Sequence, residues 1–183
     1  MSANNVRQHT ITAQVLDHPG VLTRIASMFR RRGFNIASLA VGHSEVPNQS
    51  RMTFVIDADN DTVVDQVTKQ LRKIIEVVKV TDLSGEDVVA RELALVKLRV
   101  PSAEVRSEII QIVELFRAKI VDVGADSVIV EITGDEGKIQ SLLTLVKGFG
   151  IIEIMRTGRV AVARGKKTPM KVRGSNGKRP SRD

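Results

Sequence analysis

The chain has no cysteine, no tryptophan and no tyrosine, and only five phenylalanines among its 183 residues. The missing cysteine excludes disulfides, thiolate metal sites and cysteine nucleophiles, and it suits a reducing compartment. With so few aromatic rings, the core must be built from valine, isoleucine and leucine. A hydrophobic content of 42% supplies them. No apolar run approaches the roughly 20 residues of a membrane span. The opening MSANNVRQHT also lacks the apolar stretch of a secretory signal. A soluble, cytoplasmic protein is therefore expected.

An even spread of positive charge is lacking too. The formal net charge is +7, yet the segment 164–183 alone holds eight Lys/Arg against one acid, leaving 20 against 20 in the rest. The body is neutral and the basicity belongs to the tail. That tail, RGKKTPMKVRGSNGKRPSRD, offers little to bury and is expected to be disordered. Any nucleic-acid role would be confined to it.

What the chain does have is periodicity. His9 to Leu16 alternates with β-branched residues, as a strand does. Val21, Leu22, Ile25, Ala26, Met28 and Phe29 then recur at helical spacing. Arg30, Arg31 and Arg32 suit the negative end of that helix, and Gly33 suits its C-terminal cap. Phe34 to His43 and Arg51 to Ala58 read as strands around the turn EVPNQS. Asn60 or Asp61 caps a helix whose stripe is Val63, Val67, Leu71 and Ile74. Glu76 to Leu83 closes the unit as a fourth strand. The order βαββαβ is the ferredoxin-like plan, an α+β fold with both helices on one face of an antiparallel sheet. The other face is left open.

A second copy of this order follows. LALVKLRV reads as a strand, Pro101-Ser102 opens a helix, and KIVDVGADSVIVEIT reads as two strands about a turn. Asp135 to Lys147 is a helix, Ile151 to Met155 a strand, and RVAVA a further short strand. The expected organisation is a flexible segment 1–8, a first domain 9–83, a linker 84–91, a second domain 92–164 and a tail 165–183.

Chemistry concentrates in VLDHPGVLTRIASMFRRRGFNIASLAV. Asp17 to Leu22 spans the end of strand one and the first turn of the helix. Helix N-termini hold carboxylates well, because their first N–H groups are unpaired and the dipole is positive there. Gly20 would let a carboxylate approach the amides of Val21 and Leu22. Asp17 could accept from an ammonium, and Asn35, at the start of strand two, offers both a donor and an acceptor. A carboxylate and an ammonium one carbon apart describe an α-amino acid. Ordinary turn chemistry accounts for the same residues, since Pro near a helix start and Asn after Gly are both common. The second half carries Val100-Pro101-Ser102-Ala103 at the matching turn, and no site is expected there.

The segments DHPGVLTRIASMFRRRGFNIASLAVGHSE, SRMTFVI, RELALVKLRV and IVDVGADSVIVEITG resemble the regulatory small subunit of acetolactate synthase, also called acetohydroxyacid synthase. The similarity runs from about His9 to Arg164. It implies an N-terminal ACT domain, a C-terminal ferredoxin-like domain and no catalysis by this chain. It further implies activation of a thiamine-diphosphate-dependent catalytic subunit in branched-chain amino-acid biosynthesis, with feedback inhibition by valine. Thiamine diphosphate, magnesium and FAD would reside in that subunit, with no cofactor here. The resemblance implies a homodimer through the ACT domains, and an effector site of Asp17, Gly20, Val21, Leu22, Asn35 and Ile36. Two positions depart from the family pattern. Asp17 stands where some members carry Asn, and Ala37 where glutamate is frequent.

Other classes fit less well. An acylphosphatase-like enzyme needs an arginine in the first loop, and DHPG has none. His18 has no acid-base partner beside it, and His9 and His43 make no metal spacing. RNA recognition on this topology stacks bases on sheet aromatics, and the corresponding strands supply one Phe. An ACT-domain amino-acid sensor for a different enzyme or transcription regulator is the alternative that stays open.

Overall fold

The computed structural model describes residues 7–165. The expectations for the basic tail and for the first six residues lie outside that range.

The first unit runs β1 (Arg7–Leu16), α1 (Val21–Arg32), β2 (Ile36–His43), β3 (Gln49–Ala58), α2 (Asp61–Leu71) and β4 (Val77–Asp82). Its sheet has the order β2-β3-β1-β4, with antiparallel neighbours throughout. Alternation sends Ile11, Ala13 and Val15 of β1, and Met52, Phe54 and Ile56 of β3, toward the helices. They meet Val21, Ile25, Met28 and Phe29 of α1 and Val64, Val67 and Leu71 of α2. Three of the few aromatics sit together here. Phe29 stacks on Phe54 at 5.3 Å between ring centroids and meets Phe34 edge-on at 6.3 Å. Helix α1 ends where expected, with Gly33 at φ 68° and its N–H on the Phe29 and Arg30 carbonyls. Asn60 is the cap of α2 and accepts from the Val63 N–H. That helix stops at Leu71, so Ile74 packs on the core from the following loop.

The second unit runs β5 (Val88–Arg99), α3 (Ala103–Leu115), β6 (Lys119–Val123), β7 (Ser127–Gly134), α4 (Glu136–Val146), a short 3₁₀ turn (Lys147–Phe149), β8 (Ile151–Arg156) and β9 (Val160–Ala163). Its sheet has the order β6-β7-β5-β8, and β9 pairs with the first part of β5. Ala94, Val96, Leu98, Val128, Val130 and Ile132 pack beneath Ile109, Val113, Ile139, Leu142 and Val146.

The expected linker 84–91 is a turn only up to Asp87, because β5 already begins at Val88. The cause is non-local. Val88 to Arg91 pairs residue by residue with Ala163 to Val160. Nothing in VVAR by itself announces a strand whose partner lies some seventy residues on.

This two-stranded ribbon also answers the question of the open sheet face. Thr10, Gln14, Thr53 and Val55 sit on the face away from the helices, yet all four are buried. The segment joining β8 to β9 lies against Thr10 and Val55, and the ribbon itself lies beside Thr53. The Arg159 backbone N–H donates to Ser38 Oγ at 3.1 Å, and its guanidinium reaches Thr10 Oγ1 at 3.3 Å and Gln8 Oε1 at 3.1 Å. The same guanidinium pairs with Glu136 at the start of α4. Next to it, Arg156 pairs with Glu92 at 2.5 Å, and that hydrogen bond raises the guanidinium's pKa above its ordinary value.

Gly158 permits the approach. It sits at φ 81°, and a Cβ there would stand 2.6 Å from Ser38 Oγ and 3.2 Å from the Leu39 carbonyl oxygen. Gly158→Ala should therefore combine left-handed strain with a backbone clash, lowering the unfolding free energy by about 1–3 kcal/mol. Urea titration should show this as a lower midpoint at unchanged slope. An unaltered midpoint would mean that the segment is not clamped to β2.

Candidate functional site

The loop between β1 and α1 is pinned on both sides. The Leu16 N–H donates to the Glu76 carbonyl and the Asp17 N–H to the Asn48 carbonyl, each at 2.9 Å. Gly20 then enters the helix as its N-cap at φ 91°, with no side chain capping the helix end. The other three helices differ: Asn60, Ser102 and Asp135 each accept from an N–H of the first turn. The first turn of α1 also carries no acid. Its N–H groups and the positive end of its dipole are left to whatever approaches from outside. Nothing lies within 4 Å of the place a Gly20 Cβ would take.

Around this bare terminus, Val21 is buried in the core while Leu22 is half exposed. Asp17 keeps an exposed carboxylate, with Oδ2 at 3.3 Å from His43 Nδ1. Sequence reading missed two neighbours. Arg24, one turn into α1, forms an ion pair with Glu76 at 2.5 Å, and the Glu76 side chain is only 7% exposed. Its other oxygen, Oε2, is buried with no hydrogen-bond partner among the described residues. The available signal was a lone carboxylate inside the apolar run IIEVV.

Asn35 and Ile36 stand elsewhere. Asn35 Nδ2 donates to Asp57 Oδ2 at 3.3 Å, and Ile36 packs on the edge of the first core. The strand register fixes their distance from the loop. Leu16 faces Gln49 and His43 faces Ser50 at one end of the sheet, whereas Ile36 faces Ile56 at the other. Six residues of β3 at about 3.3 Å each separate the two ends by roughly 20 Å. The 12 residues of α1 give a similar figure, about 18 Å at 1.5 Å per residue. The structure thus brings Asp17, Gly20, Val21 and Leu22 together, and leaves Asn35 and Ile36 at the far end of the same helix. An amino acid cannot touch both groups within one chain. Both ends do flank β2, which is an outer strand of its sheet with one side unpaired.

The matching turn of the second unit is closed. Ser102 caps α3 by accepting from Val105, and its hydroxyl also holds the Glu104 carboxyl below its ordinary pKa. Among the described residues no group of three His, Asp or Glu side chains is arranged to hold a metal ion. No described helix is long and apolar enough to cross a membrane.

Comparison with known proteins agrees with this architecture unit by unit. Residues 11–79 match the family described as the AHAS small subunit-like ACT domain, and residues 91–165 match the small subunit of acetolactate synthase. The acetolactate synthase small subunit of Mycobacterium bovis is 48% identical over 159 residues, covering 87% of this chain and 94% of that one. That of Bacillus subtilis is 48% identical over 155 residues, covering 85% and 90%. Among solved structures, the acetolactate synthase small subunit of Thermotoga maritima superposes with a TM-score of 0.80 at 42% identity, covering 88% of this chain and 99% of that one. Across both its units, the chain belongs to the acetolactate synthase small-subunit family.

Proposed function

We propose that this chain is the non-catalytic regulatory subunit of a cytoplasmic acetolactate synthase. It activates the catalytic subunit and makes it sensitive to valine, or to another branched-chain amino acid. The chemistry belongs to the partner, with its thiamine diphosphate, magnesium and FAD, and this chain contributes no reacting group. The observation that carries the reading is the uncapped α1 terminus at Gly20. Three helices are closed by their own side chains, and the one left open lies beside an exposed carboxylate in an ACT-type domain.

The separation of the two half-sites sets how an effector is held. A twofold axis at the β2 edge would run two copies of β2 and α1 antiparallel, with Gly20 of one copy next to Asn35 of the other. The effector carboxylate would then lie on the amides of Val21 and Leu22, and its ammonium near Asp17. Asn35 and Ile36 of the second copy would close over it. Inhibition follows if the effector favours the dimer state that does not support catalysis, a coupling typically worth about 1–3 kcal/mol.

The shared site is tested by complementation. Calorimetry of the wild-type chain should show about one valine per chain. Gly20→Asp and Asn35→Ala should each bind poorly, while an equimolar mixture that has exchanged subunits recovers about a quarter of the wild-type sites, since each mixed dimer keeps one intact site of two. Recovery of none would mean that each chain carries a whole site, or none.

Gly20→Asp should also separate the two activities. At about 4 Å and an effective dielectric near 20, its carboxylate would repel the effector's by on the order of 4 kcal/mol before screening. Valine inhibition should vanish while activation of the catalytic subunit persists. Gly20→Asn imposes the same left-handed backbone without the charge, and should keep a weakened valine response. Normal inhibition in Gly20→Asp would remove the loop from the site.

A further inference from the structure

Asp17 does not stand free for an incoming ammonium. Its Oδ2 lies 3.3 Å from Nδ1 of His43, the last residue of β2. Backbone pairing fixes both ends of this contact. Leu16 and His43 face consecutive residues of β3, Gln49 and Ser50, from its two sides. The Asp17 N–H is held by the Asn48 carbonyl at 2.9 Å. The imidazole itself is 90% exposed, so burial does not dictate where it lies. Of the charged groups around the pair, Arg51 of β3 is matched by Glu45 at 2.9 Å, and Arg24 by Glu76. Arg91 of β5 shares a cleft with His43 and Arg51, and donates to the Ala90 carbonyl at 2.6 Å. His18, next to Asp17 in the loop, has Nδ1 at 3.2 Å from the Pro19 carbonyl.

We propose that His43 belongs to the effector site, as the side chain that occupies Asp17 until the ammonium of the effector displaces it. This rests on the shared-site reading, in which that ammonium lies near Asp17, and adds a residue to it. An imidazole and an ammonium compete for one carboxylate on terms that depend on the ring's charge. A neutral ring gives up an ordinary hydrogen bond. A charged ring gives up a charge-assisted one, about twice as strong, and is left a few ångströms from a second cation. Histidine is the side chain that changes charge between about pH 5 and 8. A free α-amino acid stays a zwitterion over that range, and carboxylates ordinarily stay ionised. The effector is therefore held less tightly as the pH falls, and feedback weakens with it.

The test is calorimetric titration of the full chain with valine, leucine and isoleucine at a series of pH values between about 5.5 and 8. For the tightest-bound of the three, affinity should fall about three- to tenfold from the upper end of the range to the lower. His43→Gln should flatten that profile to within about twofold, and His43→Arg should flatten it at the weak end, because its charge does not titrate. His18→Gln should keep the full profile. Linkage makes the effect reciprocal. In NMR of the chain labelled at its three histidines, saturating effector should lower the His43 titration midpoint by about half to one pH unit, the same factor read from the proton. A profile that persists in His43→Gln, or a His43 midpoint that ignores the effector, overturns the inference and leaves the effector reading standing. Wild-type binding that is flat with pH does the same. If none of the three amino acids binds at any pH, the effector reading itself falls, and the role of His43 with it.

Discussion

One strand belongs to both halves of the molecule, and the rest of the structure depends on it. β5 is 12 residues long. Its first four pair with β9 against the far face of the first sheet, and its remainder is an inner strand of the second. A strand cannot bend freely between two sheets without losing ladder hydrogen bonds, so the orientation of the units is set by backbone pairing and not by a loose tether. Arg159 adds the side-chain part of that constraint. Its guanidinium meets β1 and the start of α4 at once, in a half-buried place where leaving a partner unpaired is costly. A displacement of β1 or β2 is therefore felt in the second unit directly.

Against that rigid frame, the single open helix end stands out chemically. Capping a helix with Ser, Asn or Asp typically stabilises it by about 1 kcal/mol, and this chain does so at three of the four α-helices among the described residues. At α1 a glycine in the left-handed region gives up that stabilisation and leaves the amides accessible. Nearby, Glu76 keeps one oxygen buried and unpaired while the other holds Arg24 in the first turn of the same helix. Both features cost stability where the chain could have avoided the cost. Such departures cluster where a ligand completes the structure.

Most of the fold was legible because its signals were local. Gly33, Asn60, Ser102 and Asp135 mark helix ends by conformational preference and side-chain reach, and each does so in the structure. The ribbon was not legible. Val88 to Arg91 becomes a strand only through β9, and Thr10 and Val55 are covered by residues more than a hundred positions away. For the candidate site, Asp17, Gly20, Val21 and Leu22 come together at one helix end because helix-terminus geometry is local. Sequence alone could not place Asn35 relative to them. That distance depends on the length of α1 and on the register of β2 with β3, and both put the two ends about 20 Å apart. Glu76 carried a local signal in IIEVV, but its partner Arg24 lies far from it in sequence, so the pair could not be read from either segment alone.

The seam also bears on position 37, where the resemblance leads us to expect a glutamate in place of Ala37. Ala37 lines a cleft of about 340 Å³ between the units, which it shares with Arg156, Arg159, Glu92 and Glu136. Each arginine there already has an acid from the second unit, Glu92 for Arg156 and Glu136 for Arg159. A glutamate at 37 would compete for guanidinium groups that are already paired, and would add an uncompensated negative charge to a half-enclosed space. Alanine leaves the balance of two against two undisturbed. Alanine at this position is thus compatible with the way this chain ties its two units together. It lies on the sheet face that carries the seam, behind the start of β2, and leaves the backbone amides at Gly20 untouched.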